Sequence, residues 1–266
     1  MKPTHVSLGC LVVLLLTACS ASGQSASKPT DEPGTAQPAA QTPNASTAQP
    51  PSKQAASEQS NSGLVRVLAE MDKTAAGFRT AQADFVWDQY QKVVNDHDQQ
   101  KGKVYFRRQG HEIQMAADIT EPAKKYVIFS GGKVQVYQPG IDQVTEYNVA
   151  KNRAELESFL VLGFGGGGRD LLKQYDVKYL GTEQVDGVRA DRLQLIPKSV
   201  KVRNNVERIL LWIDPARGVS VQQQFFEPSG DYRLSKYSNI QSNEKVPDNV
   251  FKLKTDGKTK VISPQG

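Results

Sequence analysis

Hydrophobic and polar residues alternate over much of the chain after residue 80, in short runs that are typical of antiparallel strands. The pattern is clearest from residue 102 to 147, where β-branched and aromatic residues recur in runs that end at Gly, Pro or Asp. In the first of these strands, alternation places Val104, Phe106 and Arg108 on one face. An arginine that shares a face with two apolar residues indicates that this face of the strand borders something other than a purely apolar core.

Further strands are predicted on both sides of this stretch. They cover residues 80–94, 177–180, 189–196, 206–213, 219–226 and 232–239. Helical periodicity is confined to short segments. Leu64, Leu68 and Met71 predict a helix capped by Ser62 that ends near Gly77.

Two shorter helices are predicted at residues 154–162 and 169–175, and glycines separate them. Four successive glycines at residues 165–168 favour a flexible loop beside the apolar helix before it, an arrangement that suits a lid. The order of elements therefore predicts a mainly β (α+β) fold, with one large antiparallel sheet and a few helices set against it. A sheet this long should curl into a barrel or half-barrel, with helices over its open mouth.

Composition divides the chain into three parts. The apolar run at residues 6–16 is too short to span a bilayer, and the sequence Leu-Thr-Ala-Cys that ends at Cys19 resembles the bacterial lipobox. We expect a lipoprotein signal peptide at residues 1–18 and a lipidated Cys19. The alternative is an ordinary signal peptide with an incidental cysteine. Residues 19–62 are rich in Ser, Ala, Gln and Pro and predict a disordered tether, which leaves residues 63–266 as one domain.

Cysteine content agrees with this division, because Cys10 would be removed with the signal and Cys19 would be the only thiol left. A lipidated Cys19 would anchor the protein to a bacterial membrane. The formal net charge of +5 belongs to the domain, where basic residues alternate with acidic ones and form no stripe. We therefore expect no nucleic-acid partner.

Candidate catalytic groups are scarce. His97 and His111 have no second ligand at a metal-type spacing, and no nucleophile motif or phosphate-binding loop follows a strand. The sequence therefore predicts a protein that is not an enzyme, with no cofactor and no metal.

Several short motifs together resemble the LolA-type outer-membrane lipoprotein carriers and the related LolB receptor. They lie at residues 102–108, 130–139, 142–144 and 249–253, and the last resembles the final strand of that fold. The resemblance implies an incomplete antiparallel β-barrel that encloses an apolar cavity for the acyl chains of lipoproteins. It also implies that Arg108 holds the lid over that cavity through backbone hydrogen bonds. Gln109 departs from the family pattern, which usually has proline there.

The resemblance gives a specific expectation for the site and its surroundings. The side chains expected to line the cavity and lid are Phe85, Trp87, Val104, Phe106, Val134, Val136, Phe159 and Leu160. We expect a periplasm-facing protein, anchored by Cys19 with the outer membrane favoured, that binds lipids or lipoproteins for sorting or transfer. The alternative is a structural or signalling module on the same fold that responds to lipid or lipoprotein, with its interior filled by side chains.

Overall fold

The strands form one continuous open sheet in the part of the chain that this computed structural model describes, residues 53–110 and 112–264. The expected signal peptide, Cys19, His111 and most of the expected tether lie outside these residues. The strands are β1 (Thr80–Gln91), β2 (Asp96–Gln109), β3 (Glu112–Glu121), β4 (Lys125–Ser130), β5 (Lys133–Gln138), β6 (Gln143–Asn148), β7 (Tyr175–Val185), β8 (Val188–Pro197), β9 (Arg208–Asp214), β10 (Val219–Phe226), β11 (Tyr232–Ser242) and β12 (Lys260–Ile262).

The sheet is built mostly from consecutive hairpins. Its order is β12-β6-β5-β4-β3-β2-β1-β11-β10-β9-β8-β7, and β1 and β11 join its two halves. All pairings are antiparallel except that of β12 with β6. This open, unclosed sheet is the incomplete barrel that the sequence predicts. Alternating burial along β1 explains the strand, because Ala81, Ala83, Phe85 and Trp87 are all buried on the same face.

Four α-helices accompany the sheet in the described residues: α1 (Lys53–Gly77), α2 (Arg153–Leu160), α3 (Gly168–Gln174) and α4 (Val200–Arg203). The predicted helices of the lid region correspond to α2 and α3. The first helix begins at Lys53 and not at the expected cap, so residues 53–62 are helical although the sequence assigns them to the tether. Val67 and Met71 are completely buried where α1 packs against the sheet. No helix among the described residues has the length and apolar character needed to cross a membrane.

Two buried clusters lie against the same side of the sheet, which we call the inner face. The first contains Phe85, Val104 and Phe106, and the second contains residues of α1 together with Leu193 and Leu211. The other side, the outer face, carries a smaller cluster around Ala116 and Ile128. Alternation along each strand thus assigns residues to one face or the other.

The glycine-rich segment after α2 differs from the expected flexible loop, because most of it is buried. Leu162 belongs to the second cluster and Phe164 to the first, so the segment runs between them. Gly163 has φ of 75°, and a Cβ at this position would lie 2.1 Å from Cβ of Ser220. A Cβ on Gly168 would lie 2.4 Å from the carbonyl oxygen of Leu68. These glycines therefore permit close packing.

The expected final strand at residues 249–253 is wrong. The chain forms a 3₁₀ turn at Asp248–Phe251, and the last strand is β12. Phe251 is buried on the outer face against Ala116 and Ile128, where it covers apolar surface that the sheet would otherwise expose. The guanidinium of Arg107 lies over the Phe251 ring, 4.3 Å from its centroid.

Candidate functional site

A small apolar cavity lies on the inner face beneath α2. Its volume is about 90 Å³. Strands from both halves of the sheet contribute to it, together with α2 and the segment that follows. Its lining residues are Trp87, Val104, Phe106, Met115, Val127, Leu156, Phe159, Leu160, Phe164, Gln223, Phe225, Arg233, Ser235 and Tyr237.

Five of the side chains expected at the cavity do line it: Trp87, Val104, Phe106, Phe159 and Leu160. The other three, Phe85, Val134 and Val136, are buried in the adjoining cluster and do not reach its wall.

Packing keeps Phe85, Val134 and Val136 away from the cavity wall. The Phe85 ring stacks on Trp87 with centroids 3.8 Å apart, so Trp87 lies between it and the cavity. Val134 and Val136 are on β5, and β4 and β3 separate β5 from β2. Phe129 is paired with Val134 in the β4–β5 register and belongs to the same cluster.

Phe164 fills the middle of the inner face. Its ring stacks on Phe106 with centroids 4.9 Å apart and meets Tyr237 edge-on at 4.8 Å, and only 1 % of the residue is exposed. Sequence reasoning missed Phe164 because the glycines on both sides indicate a loop. A large aromatic residue between glycines is the signal that could have found it. We call residues 161–167 the plug segment.

Arg108 makes a direct contact with the plug segment. Its Nη2 donates a hydrogen bond to the carbonyl oxygen of Gly165 at 3.0 Å, and its guanidinium lies 5.6 Å from the ring centroid of Phe78. The residue as a whole is exposed, although its guanidinium reaches the backbone of the plug segment. The acceptor therefore belongs to the segment that follows α2 and not to the helix, and it is next to Phe164 in the chain.

Two further hydrogen bonds connect the plug segment to β10. The backbone N–H of Ser220 donates to the carbonyl oxygen of Gly163 at 2.8 Å. The side-chain amide of Gln223 donates to the carbonyl oxygen of Leu162. Arg108 and β10 thus hold the plug segment from opposite sides.

Helix α2 is held at the edge of the sheet by charged side chains. Arg153 pairs with Glu112 at 2.7 Å, and Lys201 on α4 pairs with Glu155 at 3.3 Å. Because these side chains are partly exposed, solvent weakens each pair. Breaking these ion pairs would therefore add little to the free energy that is needed to move α2.

Polar groups occur at one side of the otherwise apolar cavity. Arg233 is 8 % exposed, and burial lowers the pKa of its guanidinium, while the nearby Tyr237 and Glu227 oppose that shift. Burial raises the pKa of the Tyr237 phenol. Among the described residues, no group of histidine, cysteine and carboxylate side chains is arranged to hold a metal ion.

Comparison with known families gives one match. The family model described as "Outer membrane lipoprotein carrier protein LolA" matches residues 76–254. This range contains β1 to β11, the plug segment and the 3₁₀ turn on the outer face. None of the curated protein sequences matches the chain significantly.

Several solved bacterial structures are similar to this chain. An uncharacterized conserved protein from Thermus thermophilus is 11% identical, with a TM-score of 0.48 over 75% of this chain and 98% of that one. LprF from Mycobacterium bovis is 12% identical, with a TM-score of 0.45 over 71% and 97%. The MucA/MucB complex of Pseudomonas aeruginosa gives 12% identity and a TM-score of 0.42 over 73% and 60%.

Proposed function

Because the chain belongs to the LolA family of outer membrane lipoprotein carrier proteins, we propose that it binds acyl chains of lipids or lipoproteins on the inner face of its open barrel. Binding is non-enzymatic in this proposal and serves lipoprotein sorting or transfer. The observation that carries the proposal is Phe164, a buried aromatic side chain from a loop that packs on the apolar inner face. Acyl chains would take its place.

The present cavity is too small for this ligand. Its 90 Å³ is less than the roughly 150 Å³ of an engineered apolar cavity that takes up benzene. An acyl chain therefore requires the plug segment and α2 to move outwards, which would add the space of Phe164 to the cavity. The partly exposed ion pairs of α2 are compatible with such a movement.

The energies of this exchange favour a long chain. Removing a phenylalanine ring from a packed core costs about 3–5 kcal/mol, and burying one methylene contributes about 0.8 kcal/mol. Roughly four to six buried methylenes therefore offset the displacement of Phe164. A chain of a dozen or more carbons exceeds this threshold, whereas a short one does not.

Anchoring through Cys19 belongs to the same proposal. A lipidated Cys19 would keep the domain at the periplasmic surface of a membrane, with the outer membrane favoured. The residues between Cys19 and α1 would then set how far from the membrane the barrel can receive or deliver its ligand.

Replacing Phe164 by alanine tests the exchange directly. We expect Phe164→Ala to bind a fluorescent long-chain fatty acid at least tenfold more tightly than the unchanged chain, because the ring no longer has to be displaced. Phe251→Ala is the matched control, since this buried phenylalanine lies on the outer face. It should lose stability by a similar amount without gaining affinity.

The result separates ligand binding from a general loosening of the fold. Equal gains in both variants would show that the probe recognises a destabilised protein. Absence of binding by the unchanged chain and by Phe164→Ala would contradict the proposed function.

A further inference from the structure

A second cavity lies on the inner face at the end of the sheet away from the plug segment. Its volume is about 270 Å³. It is bordered by the start of β2, the β3–β4 hairpin and the β5–β6 hairpin and is partly open to solvent, and its walls include Ile119, Pro122 and Ile141. Asp98 and Gln100 provide polar groups, and Lys125 lines it from the first position of β4.

Lys125 is unusual because most of the residue is buried beside this cavity. Only 7% of the residue is exposed, and its ammonium, which forms no ion pair or hydrogen bond with the described residues, keeps contact with solvent. Burial lowers the pKa of Lys125, and the Asp98 carboxylate, which borders the same cavity, opposes that shift only in part. Lysine is rarely so buried unless it is paired, and an anion in the cavity would give its ammonium a direct partner.

The register of β4 connects the two cavities. Lys125 and Val127 point to the same face and are two residues apart, which is roughly 7 Å along the strand. Val127 lines the plugged cavity, and both Val127 and Ile119 belong to the first buried cluster. Buried apolar side chains therefore lie between Lys125 and the plugged cavity.

We propose that the Lys125 cavity binds the anionic group, a carboxylate or a phosphate, of an amphiphile whose hydrocarbon chain lies along the inner face towards Phe164. This inference rests on the proposed function and names the class of ligand that it favours. The Lys125 ammonium donates to the anion, and Ile119, Pro122 and Ile141 contact the first methylenes of the chain. A chain with an uncharged end gains the apolar contacts and lacks the charged one.

Matched ligands and matched variants test this assignment. Binding of dodecanoate, dodecanol and acetate to the full chain is measured by calorimetry, for the unchanged protein and for Lys125→Met. Methionine keeps an unbranched side chain of similar length and removes the charge. We expect the unchanged protein to bind dodecanoate about tenfold more tightly than dodecanol, and Lys125→Met to abolish this preference with the affinity for dodecanol unchanged.

Lys124→Met is the control for general electrostatics. Its ammonium lies near the Tyr126 ring, and the residue is exposed although it borders the same cavity. We expect this variant to change dodecanoate affinity less than twofold. An equal loss in Lys124→Met would overturn the specific role of Lys125.

The relative affinities for dodecanoate, dodecanol and acetate each test one part of the proposal. Equal binding of dodecanoate and dodecanol by the unchanged protein would overturn the anion site and leave acyl-chain binding intact. Acetate that binds as tightly as dodecanoate would overturn the link to a hydrocarbon chain. If neither twelve-carbon ligand binds, the proposed function itself fails. Lys125→Met should remain folded and be at least as stable as the unchanged protein, because it removes a charge from a largely buried position.

Discussion

At the scale of single residues, Arg108 connects the end of β2 to the carbonyl next to the plug residue. This bond joins positions 57 apart in the chain. A hydrogen bond from a charged donor contributes about 1.5–3 kcal/mol when it is well shielded, and less where solvent competes. The contribution of Arg108 should therefore control how often the plug segment opens without deciding whether the protein folds.

Replacing Arg108 by leucine should loosen the plug segment. We expect amide hydrogens in residues 161–167 to exchange about five- to tenfold faster in Arg108→Leu, with the rest of the sheet little changed. Mass-spectrometric hydrogen exchange measures this by segment. Arg107→Leu is the control, because Arg107 points to the outer face and contacts Asp248. It should accelerate exchange near residues 246–251 instead. Unchanged exchange at residues 161–167 in Arg108→Leu would contradict the role of the Arg108 hydrogen bond in holding the plug segment.

The contrast between Arg108 and Phe164 shows which site residues the sequence can reveal. Alternation on one strand places Val104, Phe106 and Arg108 on a common face, and the structure agrees. Phe164 and Lys125 depend on contacts between segments that are distant in the chain, which periodicity does not describe. Glycines around Phe164 point to a loop, and a lysine at a strand end is usually solvent-exposed.

At the scale of elements, β1 joins the two halves of the sheet, and Asp84 lies at its irregular point. The pairing of β1 with β11 shifts register between Gln82 and Asp84. The Asp84 carboxylate accepts hydrogen bonds from Asn239 on β11 at 2.7 Å and from Lys103 on β2 at 2.6 Å. One side chain thus connects three adjacent strands at the irregularity.

This connection should make stability depend on pH. The hydrogen bonds from Asn239 and Lys103 lower the pKa of Asp84, so its stabilising contribution is present at neutral pH and is lost as the pH falls through the lowered value. We expect Asp84→Asn to cost less than about 1 kcal/mol at pH 7, since the group is partly exposed, and almost nothing near pH 2. Urea unfolding at both pH values measures the difference. A cost that is independent of pH would assign the effect to packing.

Element prediction succeeds where one face is buried and fails where contacts from elsewhere decide the conformation. The alternation of β1 and the periodicity of α2 are local signals, and both elements form as predicted. Residues 249–253 have strand-like composition but form a 3₁₀ turn, because Phe251 covers the apolar outer face beside Arg107. The glycine run is likewise buried by packing against α1 and β10, which its own composition does not indicate.

At the scale of the whole molecule, the open sheet has a continuous inner face with two cavities on it. One is plugged by Phe164 beneath α2, and the other is bordered by Lys125 at the opposite end. Membership of the LolA family and the buried apolar inner face support the proposal of acyl-chain binding. The chain has two tryptophans. Trp87 lines the plugged cavity, whereas Trp212 is buried in another cluster.

The position of a bound chain can therefore be measured with these two tryptophans. A fatty acid brominated along its chain quenches the fluorescence of a tryptophan that it contacts. Trp212→Phe leaves only Trp87, and Trp87→Phe leaves only Trp212. We expect saturable quenching in Trp212→Phe and little in Trp87→Phe. Equal quenching of both tryptophans, or quenching of Trp212 alone, would contradict the proposal that an acyl chain occupies the inner face beside Phe164.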